Sequence, residues 1–190
     1  MKRFLSYGNS KLPKTTAIFN FTSATNCPSK AAGKCNHPDI CYAMHSEIQY
    51  RPVLPYRENQ TAVFDSMSGE DLGVAMLNIF NRKIIKINKL RFSEAGDFRS
   101  QDDVDKFTKT ASILRAAGIK VYGYVANDDF DYSELKKYAS INGQGFTVTN
   151  QINVVDQFTE TTGVIKCKGD CRICSACANA IGKIIEIKKH

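Results

Sequence analysis

The stretch IIKINKLRFSEAGDFRSQDDVDKFTKTASILRAAGIKVYGYV, residues 84–125, decides the fold. Its opening, Ile84–Phe92, is rich in β-branched and long apolar residues and reads as a strand. A polar loop follows, Ser93-Glu94-Ala95-Gly96-Asp97-Phe98. Ser100 with Asp103 then resembles a capping box, and Val104, Phe107, Ala111 and Leu114 recur at helical spacing until Gly118 ends the run. Ile119–Val125 returns to a strand pattern. Strand, helix and strand in one short stretch make a βαβ unit, which requires a parallel pairing.

The flanks continue this alternation. Thr16–Thr22 mixes β-branched and aromatic residues, reads as a first strand, and runs directly towards Cys27. A short helix is expected after Cys41, stopped by Pro52 and Pro55, and a second from about Tyr56 to Met67. A third begins after Ser68 and places Leu72, Ala75, Met76, Ile79 and Phe80 on one face. Further on, Ser133 caps a short helix, Gly145–Thr149 reads as a strand, Val164-Ile165 leads into a cysteine run, and Ile184–Ile187 pairs at an edge. The expected class is α/β, with a mainly parallel sheet and helices. One domain is expected, with an N-terminal arm (1–15), a βα core (16–165) and a cysteine-rich metal-binding segment (166–190). Ligands of such sheets sit at the carboxyl ends of the strands. Cys27, the Glu94–Asp97 loop and Asn127 should therefore gather at one rim.

Composition bounds the possibilities. Hydrophobic residues make up 43% and charged residues 24% of the 190, a globular balance that excludes a disordered or fibrous chain. No apolar run approaches the ~20 residues of a membrane span, and Met1–Ser10 has no apolar signal-peptide core. The expectation is a soluble cytoplasmic protein. A net charge of +7 permits nucleic-acid contact without requiring it, and only Lys188-Lys189-His190 looks like a basic tail. No phosphate-binding glycine loop, dinucleotide fingerprint, H-E-x-x-H or nucleophile elbow is present.

Seven cysteines dominate the chemistry. Without an export signal they are expected to be reduced thiols, not a disulfide framework. Cys27, Cys35 and Cys41 form one group, Cys167, Cys171, Cys174 and Cys177 another, and the long stretch between holds none. Cysteines used as small hydrophobes would be scattered; two tight groups point to metal. The second group reads C-x3-C-x2-C-x2-C, and short C-x2-C steps are those of iron–sulfur ligands. The rival is a structural zinc site, although zinc knuckles separate two C-x2-C pairs by a longer stretch. The first group, C-x7-C-x5-C, offers three thiolates with His37 and His45 nearby, as a zinc site or as an open cluster with one iron lacking a cysteine. Either histidine is equally a solvated loop residue. Glu94 and Asp97, flanking Gly96, suit an amine, hydroxyl or cation, or else complement the following helix dipole. Tyr122, Tyr124 and Tyr132 could stack on a ring or simply pack. Lys11, Lys14, Lys30 and Lys34 could attract phosphate or stay solvated.

Gly8-Asn9-Ser10-Lys11-Leu12, Asn26-Cys27-Pro28, Cys41-Tyr42-Ala43, Arg91–Phe98 and the terminal C-x2-C-x2-C, in that order, resemble the gene product 88-like family of phage and mobile-element proteins. That resemblance implies a phage-encoded metal-binding protein in the host cytoplasm, and no stated activity. A more distant similarity is to radical-SAM enzymes, in which a first strand leads into a cysteine cluster and a glycine-and-acid loop after the second strand binds the methionine amine of S-adenosylmethionine. The similarity implies a partial βα barrel, with Glu94, Gly96 and Asp97 at the cofactor's polar end. This chain departs from it: C-x3-C-x2-C is absent near Cys27, and the chain is short for a full barrel. The reading that follows is an iron–sulfur protein holding a [4Fe–4S] cluster and a second metal centre, with redox or radical-SAM-like activity on an unidentified small molecule. The alternative is a zinc-stabilised module binding nucleic acid or a host protein without catalysis. Neither reading involves a membrane.

Overall fold

The structure, a computed structural model, describes residues 3–189. In chain order the elements are β1 (Ser6–Tyr7), β2 (Thr16–Phe19), α1 (Pro28–Ala31), α2 (Tyr42–Gln49), α3 (Val53–Ser66), α4 (Gly69–Asn81) and β3 (Lys89–Phe92). Then come α5 (Gln101–Ala116), β4 (Lys120–Val125), β5 (Ala139–Gln144), β6 (Asn150–Val155), β7 (Ile165–Lys166), α6 (Ala176–Asn179) and β8 (Ile184–Lys188). All eight strands join one sheet in the order β1-β2-β3-β4-β5-β6-β8-β7. β1 runs antiparallel to β2, and every other neighbouring pair is parallel. From β2 to β6, spatial order equals chain order, as in a sheet wound in one direction. Among the described residues no helix is long and apolar enough to cross a membrane.

Local chemistry sets the helix starts. The Ser68 hydroxyl accepts from the Asp71 amide at 3.0 Å, and the Ser100 hydroxyl from the Asp103 amide at 3.3 Å. Each bond satisfies an otherwise orphaned donor of the first turn. Register divides the sheet into two unlike faces. Ala17 and Phe19 of β2, Leu90 and Phe92 of β3, Val121 and Val125 of β4 and Ile141 of β5 enter the main core with α3, α4 and α5. Phenylalanines fill its centre: Phe21 stacks on Phe98 at 4.2 Å and meets Phe107 edge-on at 4.8 Å, and Phe107 lies 5.1 Å from Phe92. Phe92 fits because its β4 neighbour is Gly123, where any Cβ would collide with the ring.

The opposite face is polar. It presents Arg91, Tyr122, Tyr124, Ser140, Asn142 and Asn150, and the cysteine-rich C-terminal segment covers it. Ser140 Oγ and Asn142 Nδ2 donate to the Cys177 carbonyl at 2.9 and 3.0 Å. Asn150 Nδ2 donates to Asn142 Oδ1 (3.1 Å) and the Ala180 carbonyl (2.9 Å), and Asn150 Oδ1 accepts from the Lys183 amide at 3.2 Å. These two buried asparagines dock the segment by hydrogen bonds where an apolar face would have taken a helix.

Several boundaries differ from the sequence reading. The strand expected over Ile84–Phe92 begins only at Lys89, and Ile84 and Ile85 stand exposed. α3 starts at Val53 because Pro55 falls in its first turn, where its missing amide costs nothing. Gly145–Thr149 is a turn, with Gly145 at φ 82°, and the strands lie on either side of it as β5 and β6. The helix expected at Ser133 is a single 3-10 turn, Leu135–Lys137. β8 is not an edge strand; it lies between β6 and β7.

Truncating Phe107→Ala is expected to cost about 3–5 kcal/mol, since a fully buried ring leaves a cavity among other rings. Urea denaturation checks it: the midpoint falls while the slope holds.

Candidate functional site

The carboxyl ends of β2, β3 and β4 converge on one buried carboxylate. Asp97 is 2% exposed, and its Oδ2 accepts from Ser29 Oγ (2.7 Å), the Ala126 amide (2.7 Å) and the Asn127 amide (3.3 Å). Oδ1 accepts from the Phe98 amide at 2.8 Å. Burial raises the Asp97 pKa above the ordinary carboxylate value, and these donors oppose the rise. The Asn20 side chain adds a second tie, its Oδ1 accepting from the Ala95 amide at 2.8 Å and its Nδ2 donating to Gln60. Gly96, at φ 67°, passes so close to the Thr22 carbonyl that no Cβ fits. The expected gathering of Cys27, the 94–97 loop and Asn127 at one rim is therefore found.

A buried ion pair fixes the chain just before Cys27. Glu47 of α2 meets Arg57 of α3 at 2.7 Å, and its two oxygens also accept from the Ala24 amide, the Thr25 amide and the Thr25 hydroxyl. Burial alone would raise the Glu47 pKa, but Arg57 and these donors outweigh it and hold it below the usual value. Arg57 also donates to the Ala43 carbonyl at 2.9 Å, locking the turn that follows Cys41.

Cys27 and Cys35 lie within electrostatic reach of Asp97 and of each other, and Cys35 within reach of Cys41. Burial pushes the Cys27 thiol up to about 11 and raises that of Cys35. His37 caps a short 3-10 turn and His45 lies in α2. At the strand end, Ser93 holds a left-handed φ of 51° with a buried hydroxyl that finds no partner among the described residues. Such strain in a non-glycine residue costs energy and concentrates at functional sites. Glu94 is half-buried; its Oε1 accepts from Asn9 Nδ2 at 2.9 Å, and its carbonyl accepts from the Tyr42 hydroxyl at 2.6 Å.

On the polar face, Cys167, Cys171, Cys174 and Cys177 line a single pocket with Tyr122, Tyr124, Ile165 and Ile185. The Gly169 amide donates towards Cys167 Sγ at 3.4 Å, and Tyr124 lines the pocket beside Cys177. Burial raises the Cys171 and Cys177 thiols. The Cys171 amide donates to the Lys11 carbonyl at 2.9 Å, so the N-terminal arm closes over this segment. No disulfide forms, and all seven cysteines are partly buried free thiols. Among the described residues no three His, Cys, Asp or Glu side chains are gathered as a ready-made site for a single metal ion.

The remaining candidates separate. Tyr132 packs in the core and donates to the Asn127 carbonyl at 2.8 Å, whereas Tyr122 and Tyr124 face the cysteine pocket. Lys34 is paired with Asp128 and Asp129 at 2.9 and 2.7 Å, bridging two loops instead of offering a charge to phosphate. The sequence assigns no role to Asn142, Asn150 or Arg91, although Arg91 opens one of the stretches that carry the family resemblance. A lone arginine in a β pattern and asparagines in a turn-like composition carry no signal until the strand register is known.

Replacing Arg57→Ala should destabilise by about 3–5 kcal/mol, because it strands a buried carboxylate. In the wild type the pair's contribution is complete above the unfolded carboxylate pKa of ~4.5 and is lost as pH falls through the lower folded value. Chemical denaturation at pH 7 and pH 4 measures both effects. Asp97→Asn should cost about 1–3 kcal/mol, since an amide nitrogen would then face backbone donors; the same denaturation series checks it.

A family model described as Gene product 88 matches residues 3–127. The matched stretch contains the first cysteine group and the Asp97 loop, and it ends before the terminal C-x2-C-x2-C that the sequence resemblance included. No curated protein and no solved structure is significantly similar to the chain. On that match, over half its length, the chain belongs to the phage Gene product 88 family.

Proposed function

We propose that this protein is an iron–sulfur protein, with a [4Fe–4S] cluster held by Cys167, Cys171, Cys174 and Cys177. The observation that carries the reading is the convergence of these four thiols on one pocket against the polar face of the sheet. The donor set suits the group: four sulfurs, an amide directed at one of them, and two tyrosines and two isoleucines lining the same pocket. Cys27, Cys35 and Cys41 are the ligands of a second centre at the strand rim. Three thiolates leave one metal position open, and an open position is what binding and chemistry require. A sheet wound in one direction, with helices packed on one face and the cysteine segment on the other, supports the partial-barrel reading. S-adenosylmethionine is the cofactor class suited to such a rim, where a reduced cluster would supply the electron for redox or radical chemistry.

Within this proposal the acids of the loop take different roles. Asp97 is saturated by protein donors and acts as the tie that positions Cys27. Glu94, half-buried beside Ser93 at the same strand end, is the acid that meets a ligand amine.

Anaerobic purification followed by iron, sulfide and zinc analysis tests the reading. About four or eight irons per chain are expected, with a broad visible band near ~400 nm. Cys174→Ser should remove the iron of one centre only. A chain carrying zinc and no sulfide would instead support the structural alternative. Thiols raised by burial must lose protons to bind metal, so apparent zinc affinity of the metal-free chain should rise with pH, about tenfold per pH unit for each proton released. Glu94→Gln should weaken S-adenosylmethionine binding in calorimetry while leaving the denaturation midpoint unchanged.

A further inference from the structure

Arg91 stands on the polar face of β3, with Tyr122 opposite it on β4. Its guanidinium lies 4.9 Å from the Tyr124 ring, and its Nη2 donates to the Tyr42 hydroxyl at 3.0 Å. Its Nε is buried without a hydrogen-bond partner, and although the Glu94 charge reaches it, among the described residues no carboxylate forms an ion pair with it. A cation partly withdrawn from water and held without an ion-pair partner is costly. Such an arrangement is explained when a counter-anion belongs beside it. Cys171 and Cys177 are the groups whose charge Arg91 feels from the C-terminal segment, and Tyr124 stands by both, with its ring under Arg91 and its side chain lining the pocket of Cys171 and Cys177.

We propose that Arg91 is the built-in counter-cation of the C-terminal cysteine centre, and that Tyr124 donates a hydrogen bond to the Cys177 sulfur of that centre. The inference rests on the reading of these cysteines as iron–sulfur ligands. Four thiolates around a cluster core leave a net charge of about −2. Uptake of one electron from a low-potential one-electron donor takes it to about −3, with no bond formed or broken. A fixed positive charge and a phenolic donor favour the more negative state, so together they raise the potential at which the centre accepts its electron. Tyr42, which follows Cys41 directly in the chain, accepts a hydrogen bond from the guanidinium and so ties Arg91 to the helix that starts after the first cysteine group. Both residues act through the centre and are positioning residues.

The test is a mediated redox titration of the anaerobically purified chain, followed by visible absorption and EPR. Arg91→Met and Tyr124→Phe are each expected to lower the midpoint potential at unchanged iron and sulfide content, and the double variant to lower it further. Arg91→Lys, which keeps the charge, should stay near the wild type. If Arg91→Met does not fold, Tyr124→Phe against the wild type carries the test, because the loss of one oxygen leaves the ring in place. Variants that hold a full cluster at the wild-type potential would overturn the inference while leaving the cluster assignment standing. A wild-type chain that binds no iron and sulfide overturns the cluster assignment and this inference with it.

Discussion

One buried carboxylate joins three consecutive strand ends. Asp97 takes donors from the turn after Cys27, from its own loop and from the two residues following β4. Without that acceptor, the Ala126 and Asn127 amides and the Ser29 hydroxyl would be buried donors with nothing to bind. The register of the rim, and hence the placing of Cys27, depends on it. The Glu47–Arg57 pair repeats the device one layer out, clamping residues 24 and 25 against two helices. The first cysteine group thus sits on loops, but those loops are held by charges that have left water.

The second cysteine group depends on a different arrangement. A parallel sheet ordinarily carries apolar residues on both faces, because helices cover both. Here one face packs phenylalanines against α3, α4 and α5, and the other presents arginine, tyrosines and asparagines. That polar face is covered by a segment with little regular structure, so each backbone carbonyl laid against it needs a donor. Asn142, Asn150 and Ser140 supply them. Among the described residues of the segment only Ile185 and Glu186 are buried, so it adds little to an apolar core.

The βαβ unit was legible because its signals agree: the apolar stripe of α5, the Ser100 cap and Gly118 all point to the same helix. The rim was legible for the same reason, since strand ends in such sheets share one edge. β5 and β6 were not. Ala139-Ser140-Ile141-Asn142-Gly143-Gln144 and Asn150-Gln151-Ile152 have the composition of turns, because one of their faces meets polar backbone instead of helix side chains. Ile84 and Ile85 misled in the opposite sense, being β-branched residues left outside the sheet. Cysteine spacing marked both groups, but the partners that surround them became visible only in three dimensions. Arg91 owes its place to strand register, and the four donors that surround the Asp97 carboxylate come from segments far apart in the sequence.

The central claim is that the C-terminal thiols hold a multi-iron cluster. Mössbauer spectroscopy of the chain produced in 57Fe-enriched medium and kept anaerobic addresses it directly. The account predicts quadrupole doublets of sulfur-ligated, electron-delocalised iron, with the signal of one whole cluster lost in Cys171→Ser. Iron bound only through oxygen and nitrogen, or a spectrum without protein-bound iron, would contradict it.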